Sequence, residues 1–263
     1  KREWMWGFAQ CPSTLILDDA VRIFFSSRSE RDNEGQYNSY TSFFDVDKND
    51  LTKILRVSRN PVMELGDIGS FDENAIYPTS IVNVDRLIYM YYAGWKRCKS
   101  VPFDTAIGLG ISDTGGGYFL KYSPGPILSA SENEPFVISG PKVRIFDNKW
   151  YMYYIAGTEW IKTENQPEIV YDIRMAISND GLKWNKLNKK IIPNILGYNE
   201  CQAGPDVFLK DGYYHMYFVY RQALDFREDK DRGYKIGYAW SDDLINWTRD
   251  DSQAGIEYSE EGW

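Results

Sequence analysis

The stretch Pro205-Asp-Val-Phe-Leu209, followed after a polar turn by Tyr213-Tyr-His-Met-Tyr-Phe218, decides the fold of this chain. Its order is a proline, a short hydrophobic strand, a polar turn and an aromatic-rich strand. The same order begins upstream at Pro12, Pro78 and Pro141, so that successive lead prolines are 66, 63 and 64 residues apart. A fixed period of this length indicates a repeat protein in which each repeat is one supersecondary unit.

Each copy continues into a third strand and then into a turn rich in Asp, Asn and Gly. The turn is clearest in Ser178-Asn-Asp-Gly-Leu-Lys-Trp184 and Ser241-Asp-Asp-Leu-Ile-Asn-Trp247, where we expect Asp180 and Asp243 to be structural. Four short strands per repeat predict an all-β fold, a β-propeller of four-stranded blades with four repeats present. We expect one domain over residues 1–263. Its blades are predicted at about 11–72, 73–136, 137–200 and 201–263.

The period also bears on how the ring of blades is completed. A fifth lead proline would fall at about residue 269, beyond Trp263. We therefore expect a five-bladed propeller whose last blade is missing here or supplied elsewhere, with a closed four-bladed ring as the alternative. The tail Ser259–Trp263 resembles a loop that leads into a further first strand. An uncovered blade exposes apolar surface, so we expect self-association or closure by a C-terminal remainder.

Composition narrows the class of partner and the cellular setting. The formal net charge is -8, whereas a nucleic-acid surface needs basic patches, so no nucleic-acid partner is expected. No apolar run is long enough to span a membrane, and no secretory signal is present. Three Cys without metal-ligand spacing favour a reduced, cytoplasmic setting, and we expect no metal and no cofactor. The chain starts at Lys1 rather than Met, which is compatible with a trimmed N-terminus.

Propeller geometry predicts that two sets of residues converge on one face, because first strands begin there and second strands end there. The set before the lead prolines comprises Gln10, Cys11, Asp72, Glu73, Asn74, Glu134, Glu200, Cys201 and Gln202. The set at the ends of the second strands comprises Arg28, Trp95, Lys96, Arg97, Glu159, Trp160, Tyr220 and Arg221. Carboxylates can act as general acid and base, and aromatic faces stack on sugar rings, so this face predicts a polar-ligand site.

At these residues the chain resembles the five-bladed propeller glycosidases, glycoside hydrolase families 43, 32, 62 and 68, with the mannoside phosphorylases of family 130. Glu200-Cys201 before Pro205-Asp206 is similar to the Glu-Cys-Pro-Asp acid motif of family 32. The segment Gly204-Pro205-Asp206-Val207 resembles the Ala-Pro-Asp-Val segment of family 43. The resemblance implies an enzyme that acts on a glycan or glycoconjugate, with a carbohydrate as its partner.

Three positions depart from the pattern of family 43. Cys11 stands where an Asp commonly serves as general base, Ser139 stands where the acid Glu precedes Gly-Pro, and Thr79 replaces an expected Asp. We therefore predict that the catalytic carboxylates have moved to Glu200 as general acid and Glu73 or Asp72 as base. Glu134 would then tune a pKa or bind hydroxyls.

The predicted substrate-binding residues are Arg28, Asn74, Trp95, Arg97, Glu159, Trp160, Asp206 and Arg221. Arg28, Arg97 and Arg221 can clamp a carboxylate or phosphate, or else pair with neighbouring Asp and Glu. The lone His215 is expected to pack inside its strand. Because of the three substituted positions, a non-catalytic carbohydrate-binding module is the alternative function.

Overall fold

The computed structural model describes residues 2–256, which form two compact bodies. The N-terminal body holds the chain up to Ser129 together with Ile138–Val143. The C-terminal body holds Ala130–Val137 and the chain from Arg144 onward. The tail that the sequence predicts to lead into a further strand, Ser259–Trp263, lies outside the described residues.

Strands account for nearly all of the regular structure. The N-terminal body contains β1 (Gly7–Ile16), β2 (Ala20–Arg28), β3 (Ser39–Asp47), β4 (Ile54–Val57), β5 (Ala75–Val84), β6 (Leu87–Arg97), β7 (Phe103–Ser112) and β8 (Leu120–Lys121). Strand β9 (Ile138–Phe146) is divided between the bodies. The C-terminal body contains β10 (Lys149–Ile161), β11 (Glu168–Ser178), β12 (Asn185–Lys186), β13 (Glu200–Lys210), β14 (Tyr213–Gln222), β15 (Lys235–Ser241) and β16 (Thr248–Arg249). Between residues 2 and 256 the helical segments are two 3₁₀ turns, Lys230–Arg232 and Asp251–Gln253.

The strands form four sets of four, one set for each sequence repeat. Within a set, consecutive strands are neighbours, as in the orders β12-β11-β10-β9 and β13-β14-β15-β16. The first two sets share a sheet because a single parallel bridge, Ser39 to Ala75, joins β3 to β5. An all-β fold built of several sheets is thus confirmed, whereas the number of blades stays a prediction. The single domain, the fifth blade and ring closure stay predictions.

Aromatic and branched side chains of the second and third strands fill the core of each body. Phe24, Met90 and Tyr92 are buried in the N-terminal body, while Ile173 and Phe218 are buried in the C-terminal body. Each fully buried side chain of this size stabilises the fold by roughly 1.5–3 kcal/mol. The aromatic-rich second strand that defines the repeat is therefore the main source of core.

The turn between the third and fourth strands is built in the same way in the last two repeats. The Ser178 hydroxyl accepts from the backbone N–H groups of Asp180 and Gly181, and the Asp180 carboxylate accepts from those of Leu182 and Lys183. Equivalent bonds join the Ser241-Asp243 turn. These carboxylates are committed to backbone donors, as a structural role requires.

Candidate functional site

Three of the first strands, β1, β5 and β13, are interrupted by a β-bulge at the lead proline. Register shifts fall at Gln10–Ser13 in β1, Tyr77–Ser80 in β5 and Ala203–Asp206 in β13. Proline has no N–H to give to a ladder, so a bulge is where a paired strand can hold it. The bulge re-aims the residues before the proline, which are those the sequence marks as candidates.

Cys11 and Tyr77 occupy the position immediately before their prolines. Cys11 has a φ of 54°, whereas Gly140 and Gly204 hold the same position with φ of 58° and 59°. Surrounding protein raises the pKa of the Cys11 thiol although its side chain stays accessible, and burial raises the pKa of Tyr77. Both groups are therefore protonated near pH 7, which disfavours a nucleophilic role for the Cys11 thiol.

Arg28 ends β2, and its guanidinium packs against two aromatic rings. The guanidinium carbon is 4.3 Å from the centroid of Phe8 and 4.2 Å from that of Tyr37. Within residues 2–256, the Arg28 side chain makes no hydrogen bond and no ion pair, and its Nε is buried without an acceptor. The alternative of pairing with a neighbouring Asp or Glu is thus not realised at Arg28.

Arg97, at the end of β6, fixes the loop that carries Tyr37. Its Nη2 donates to the carbonyl of Tyr37 and to Oδ1 of Asn38, the latter at 3.2 Å. Its backbone N–H donates to Oδ1 of Asn74 at 3.0 Å, and Asn74 in turn donates to Asn38 at 3.4 Å. Arg97 and Asn74, both predicted from sequence, therefore belong to one network that holds an aromatic ring over Arg28.

Arg221 lies in an aromatic cage in the C-terminal body. It is buried, 3.5 Å from the ring centroid of Phe226 and about equally far, 5.5 Å and 5.4 Å, from those of Tyr171 and Tyr234. Nη1 donates to the carbonyls of Gln222 and Ala223, and Nε has no acceptor in the part of the chain that is described. No carboxylate pairs with this guanidinium among those residues.

Glu159 and Trp160 end β10, opposite Val170 and Ile169 of β11. Both are half-buried. The Glu159 carboxylate has neither a hydrogen bond nor an ion pair with any residue from 2 to 256. Nearby in the C-terminal body, the buried Cys201 thiol donates to the Ile169 carbonyl, and burial raises its pKa to about 11. Glu159 is thus a carboxylate whose oxygens are open to a ligand.

Asp72 is fully buried and bound on three sides. Lys121 Nζ is 2.6 Å from its Oδ2, the Tyr92 hydroxyl donates to Oδ2 at 2.8 Å, and Ser70 donates to Oδ1 at 3.0 Å. Burial and the Asp72 charge raise the pKa of the Tyr92 hydroxyl, which keeps it a donor. The Asp72 oxygens are occupied by these groups.

The same arrangement recurs at Glu134 and Glu200. Glu134 accepts from Lys186 Nζ at 2.7 Å and from the Tyr154 hydroxyl at 3.0 Å. Glu200 pairs with Arg249 Nη1 at 2.6 Å, and accepts from Gln202 and two backbone N–H groups at 2.8 Å each. We call the three pairs Asp72–Lys121, Glu134–Lys186 and Glu200–Arg249 the carboxylate ties, because each links the start of a first strand to the fourth strand of its repeat.

Glu73 differs from the other three predicted acids. It is half-buried, and its Oε2 accepts from the backbone N–H of Gly69 at 2.9 Å. No cation pairs with it in residues 2–256. Of the four predicted catalytic carboxylates, Glu73 is thus the one that a ligand can reach, and the catalytic roles of all four stay predictions.

Two predicted binding residues have structural partners. Trp95 stacks on Phe103 with a centroid distance of 5.8 Å. Asp206 forms an ion pair with Arg144 of β9, which also donates to the Val207 carbonyl at 2.9 Å. Their predicted contact with a ligand stays a prediction.

His215 packs inside its sheet. Its ring stacks on Phe208 at 5.3 Å, Nδ1 is 2.6 Å from the Tyr238 hydroxyl, and Nε2 is 3.2 Å from the Lys210 carbonyl. Residues 2–256 contain no group of three or more His, Cys, Asp or Glu that could hold a metal ion. No helix among them is long and apolar enough to cross a membrane.

Sequence reasoning missed Phe8, Tyr37 and the cations of the ties. Tyr37 lies in the β2–β3 loop, outside the repeated strand pattern, so the period gives no signal for it. The cations do share a pattern, since Lys121, Lys186 and Arg249 each stand two residues after an aromatic residue. That spacing places them on one face of the fourth strand with the aromatic side chain.

The fold is that of the propeller glycoside hydrolases. The chain is similar to a structure named as a glycoside hydrolase, with a TM-score of 0.71 and 15% identity over 92% of this chain and 72% of the other. It is similar to a thermostable family-43 glycoside hydrolase, with a TM-score of 0.68 and 14% identity over 98% and 77%. It is also similar to sucrose-6-phosphate hydrolase from Lactobacillus gasseri, with a TM-score of 0.63 and 15% identity over 92% of this chain and 47% of the other. The predicted resemblance is confirmed as a likeness of fold.

Sequence comparison identifies the family of the chain. It is 30% identical over 262 residues to the uncharacterized proteins MT1551 and Rv1502 of two Mycobacterium tuberculosis strains. The match covers 99% of this chain and 82% of each relative. The chain therefore belongs to the same family as these mycobacterial proteins. No family model matches it.

Proposed function

We propose that the protein is a carbohydrate-active propeller that binds a glycan or glycoconjugate and cleaves or transfers its glycosidic bond. The likeness of fold to glycoside hydrolases over more than nine-tenths of the chain carries this proposal. The open carboxylate Glu73 supports it, because glycoside hydrolysis needs carboxyl groups that reach the substrate, and no cation pairs with Glu73 in residues 2–256. We propose Glu73 as the base, and Glu159 of the other body as a separate candidate for contact with a carbohydrate.

The test is turnover of a panel of aryl glycosides and oligosaccharides by the wild type, Glu73→Gln and Glu159→Gln. Loss of a catalytic acid or base lowers kcat by about 10²–10⁴-fold. Matched controls are Glu34→Gln and Glu164→Gln, which alter exposed loop carboxylates of the same two bodies. Turnover that survives both site substitutions would contradict the proposed roles.

A second candidate is a carbohydrate-binding module without catalysis. It is favoured by the carboxylate ties, because Asp72, Glu134 and Glu200 are at most 1% exposed and their oxygens are already bound. This candidate predicts that calorimetry detects sugar binding while no substrate is turned over. Binding in this case would be unaltered by Glu73→Gln.

A further inference from the structure

The Arg28 guanidinium is a cation whose hydrogen-bond donors have no acceptor. An arginine carries five N–H donors and none of those of Arg28 is used by the residues from 2 to 256. Its Nε lies where water does not reach it. A buried donor left unsatisfied costs about 1–3 kcal/mol. The two Nη groups, which are unpaired among residues 2–256 but not buried, are the donors open to an acceptor that is not one of those residues.

The two rings decide how that acceptor can approach. Phe8 and Tyr37 lie 4.3 Å and 4.2 Å from the guanidinium carbon, within stacking distance. The N–H groups of a guanidinium point outward in its plane, so stacked rings hold the plane and leave its edge as the binding surface. Phe8 reaches its place with a φ of 68°, a left-handed conformation that is rare for an aromatic residue.

Near Arg28 there is a second arginine, Arg97, and no described carboxylate pairs with either of them. Arg97, which holds the Tyr37 loop, also forms no ion pair in the described chain. This is notable in a protein with formal net charge -8 and 38 acidic residues. A neutral hydroxyl offers one weak acceptor, whereas a carboxylate or phosphate offers two oxygens that match the edge of a guanidinium bidentately.

We infer that Arg28 is the anion-binding residue of a ligand site in the N-terminal body, and that the ligand is an acidic sugar, either a uronic acid or a sugar phosphate. The sugar part rests on the proposed function, but the anion-binding part does not. Arg97 is a positioning residue that acts through Tyr37. The rings of Phe8 and Tyr37 hold Arg28 and shield it.

The experiment measures calorimetric binding of inorganic phosphate, glucose 6-phosphate and galacturonate, with glucose and galactose as neutral counterparts. We expect saturable binding of phosphate-bearing or carboxylate-bearing probes at millimolar concentrations. Arg28→Gln should weaken it by about 10- to 100-fold, the worth of charged hydrogen bonds. Arg31→Gln is the matched control, because Arg31 is exposed, lies 5.6 Å from the same Tyr37 ring and donates to the Gly35 carbonyl.

Each outcome decides a separate point. Stronger binding of galacturonate than of the phosphates assigns the carboxylate source, and the reverse assigns phosphate. Should Arg28→Gln fail to fold, Arg28→Lys keeps the charge but loses the bidentate edge and should still weaken binding.

Absence of saturable anion binding by the wild type, or equal affinity in the folded Arg28 variants, overturns the inference. Turnover of neutral sugars together with no saturable anion binding would overturn the inference while sparing the proposed function. Phosphate binding that Arg28→Gln weakens, without turnover of any sugar, would spare the inference and contradict the proposed function.

Discussion

At the scale of residues, the carboxylate ties indicate that three of the predicted catalytic carboxylates stabilise the fold. Glu200 is 0% exposed and pairs with Arg249, whose side chain is 3% exposed. Removing one partner of a buried ion pair strands the other charge, which costs about 3–5 kcal/mol. We therefore expect Glu200→Gln to lower the free energy of unfolding by about that much, measured by urea denaturation.

The control for Glu200→Gln is Glu159→Gln, which removes a half-buried carboxylate that has no cation partner in the described residues. It should change stability by less than about 0.5 kcal/mol. The double variant Glu200→Gln with Arg249→Gln should recover part of the loss. A Glu200→Gln variant as stable as the wild type, yet inactive on a glycan, would instead restore Glu200 to its predicted catalytic role.

A second prediction at this scale concerns the backbone at Cys11. Its φ of 54° suits glycine, as Gly204 at the same repeat position shows with φ of 59°. Cys11→Gly should leave the thermal stability unchanged or raise it by up to about 1 kcal/mol. The reverse change, Gly204→Cys, should lower it by about 1–2 kcal/mol, because a Cβ there has room but the conformation is strained. A destabilised Cys11→Gly variant would show that the thiol makes contacts that outweigh the strain.

At the scale of elements, the turn before the fourth strand is held by one carboxylate. Backbone N–H donation from Asn246, followed by that of Ile245, lowers the pKa of Asp243 to about 2. Asp243→Ala should lower Tm by about 2–4 °C for the lost hydrogen bonds. The matched control is Asp242→Ala, which removes the adjacent exposed carboxylate and leaves these hydrogen bonds in place.

The pH dependence follows from the sign of that shift. A depressed carboxyl pKa contributes stability that is complete above the unfolded value of about 3.9 and is lost as pH falls through the folded value. The difference in Tm between wild type and Asp243→Ala should therefore be constant from pH 7 to about 5 and close between about pH 4 and pH 2. Thermal denaturation followed by circular dichroism across that range checks it, and a gap that widens on acidification would contradict it.

The strands were predictable and the loops were not. The lead proline and the aromatic second strand recur at one period, and both depend on local sequence alone. Strands β10 and β14 could therefore be predicted from Trp150 and Tyr213 onward. Arg28 and Arg97 were also marked, because they end second strands. The role of Arg97 depends on Tyr37, in a loop outside the period. The ion pairs of Asp72 and Glu200 could not be predicted from local sequence, since their cations stand 49 residues away along the chain.

At the scale of the whole molecule, the fourth repeat carries an exposed aromatic surface. Phe208, Tyr213 and Tyr217 are 40%, 49% and 38% exposed, and Phe208 stacks on Tyr217 with a centroid distance of 6.2 Å. Exposed apolar surface of this kind favours association. We expect the 263-residue chain to associate through it, with Tyr217→Lys shifting the sedimentation coefficient to that of the monomer.

The matched control is Tyr198→Lys, which alters a loop tyrosine that is 80% exposed in the same body. It should leave sedimentation unchanged. A wild-type chain that sediments as a monomer and unfolds in one cooperative transition would contradict this prediction. That result would favour the alternative of a ring closed without a further blade.

The carboxylate ties also bear on how such a protein can diverge. The ion pair that links the first and fourth strands is formed by Asp with Lys, by Glu with Lys and by Glu with Arg. A tyrosine hydroxyl also donates to the carboxylate in the first two pairs but not in the third. Selection at these sites therefore acts on charge and reach, so that the two members of a pair should change together across mycobacterial relatives. These three repeats therefore share a charge pair at equivalent positions rather than identical residues, and residue identity alone underestimates how similarly they are built.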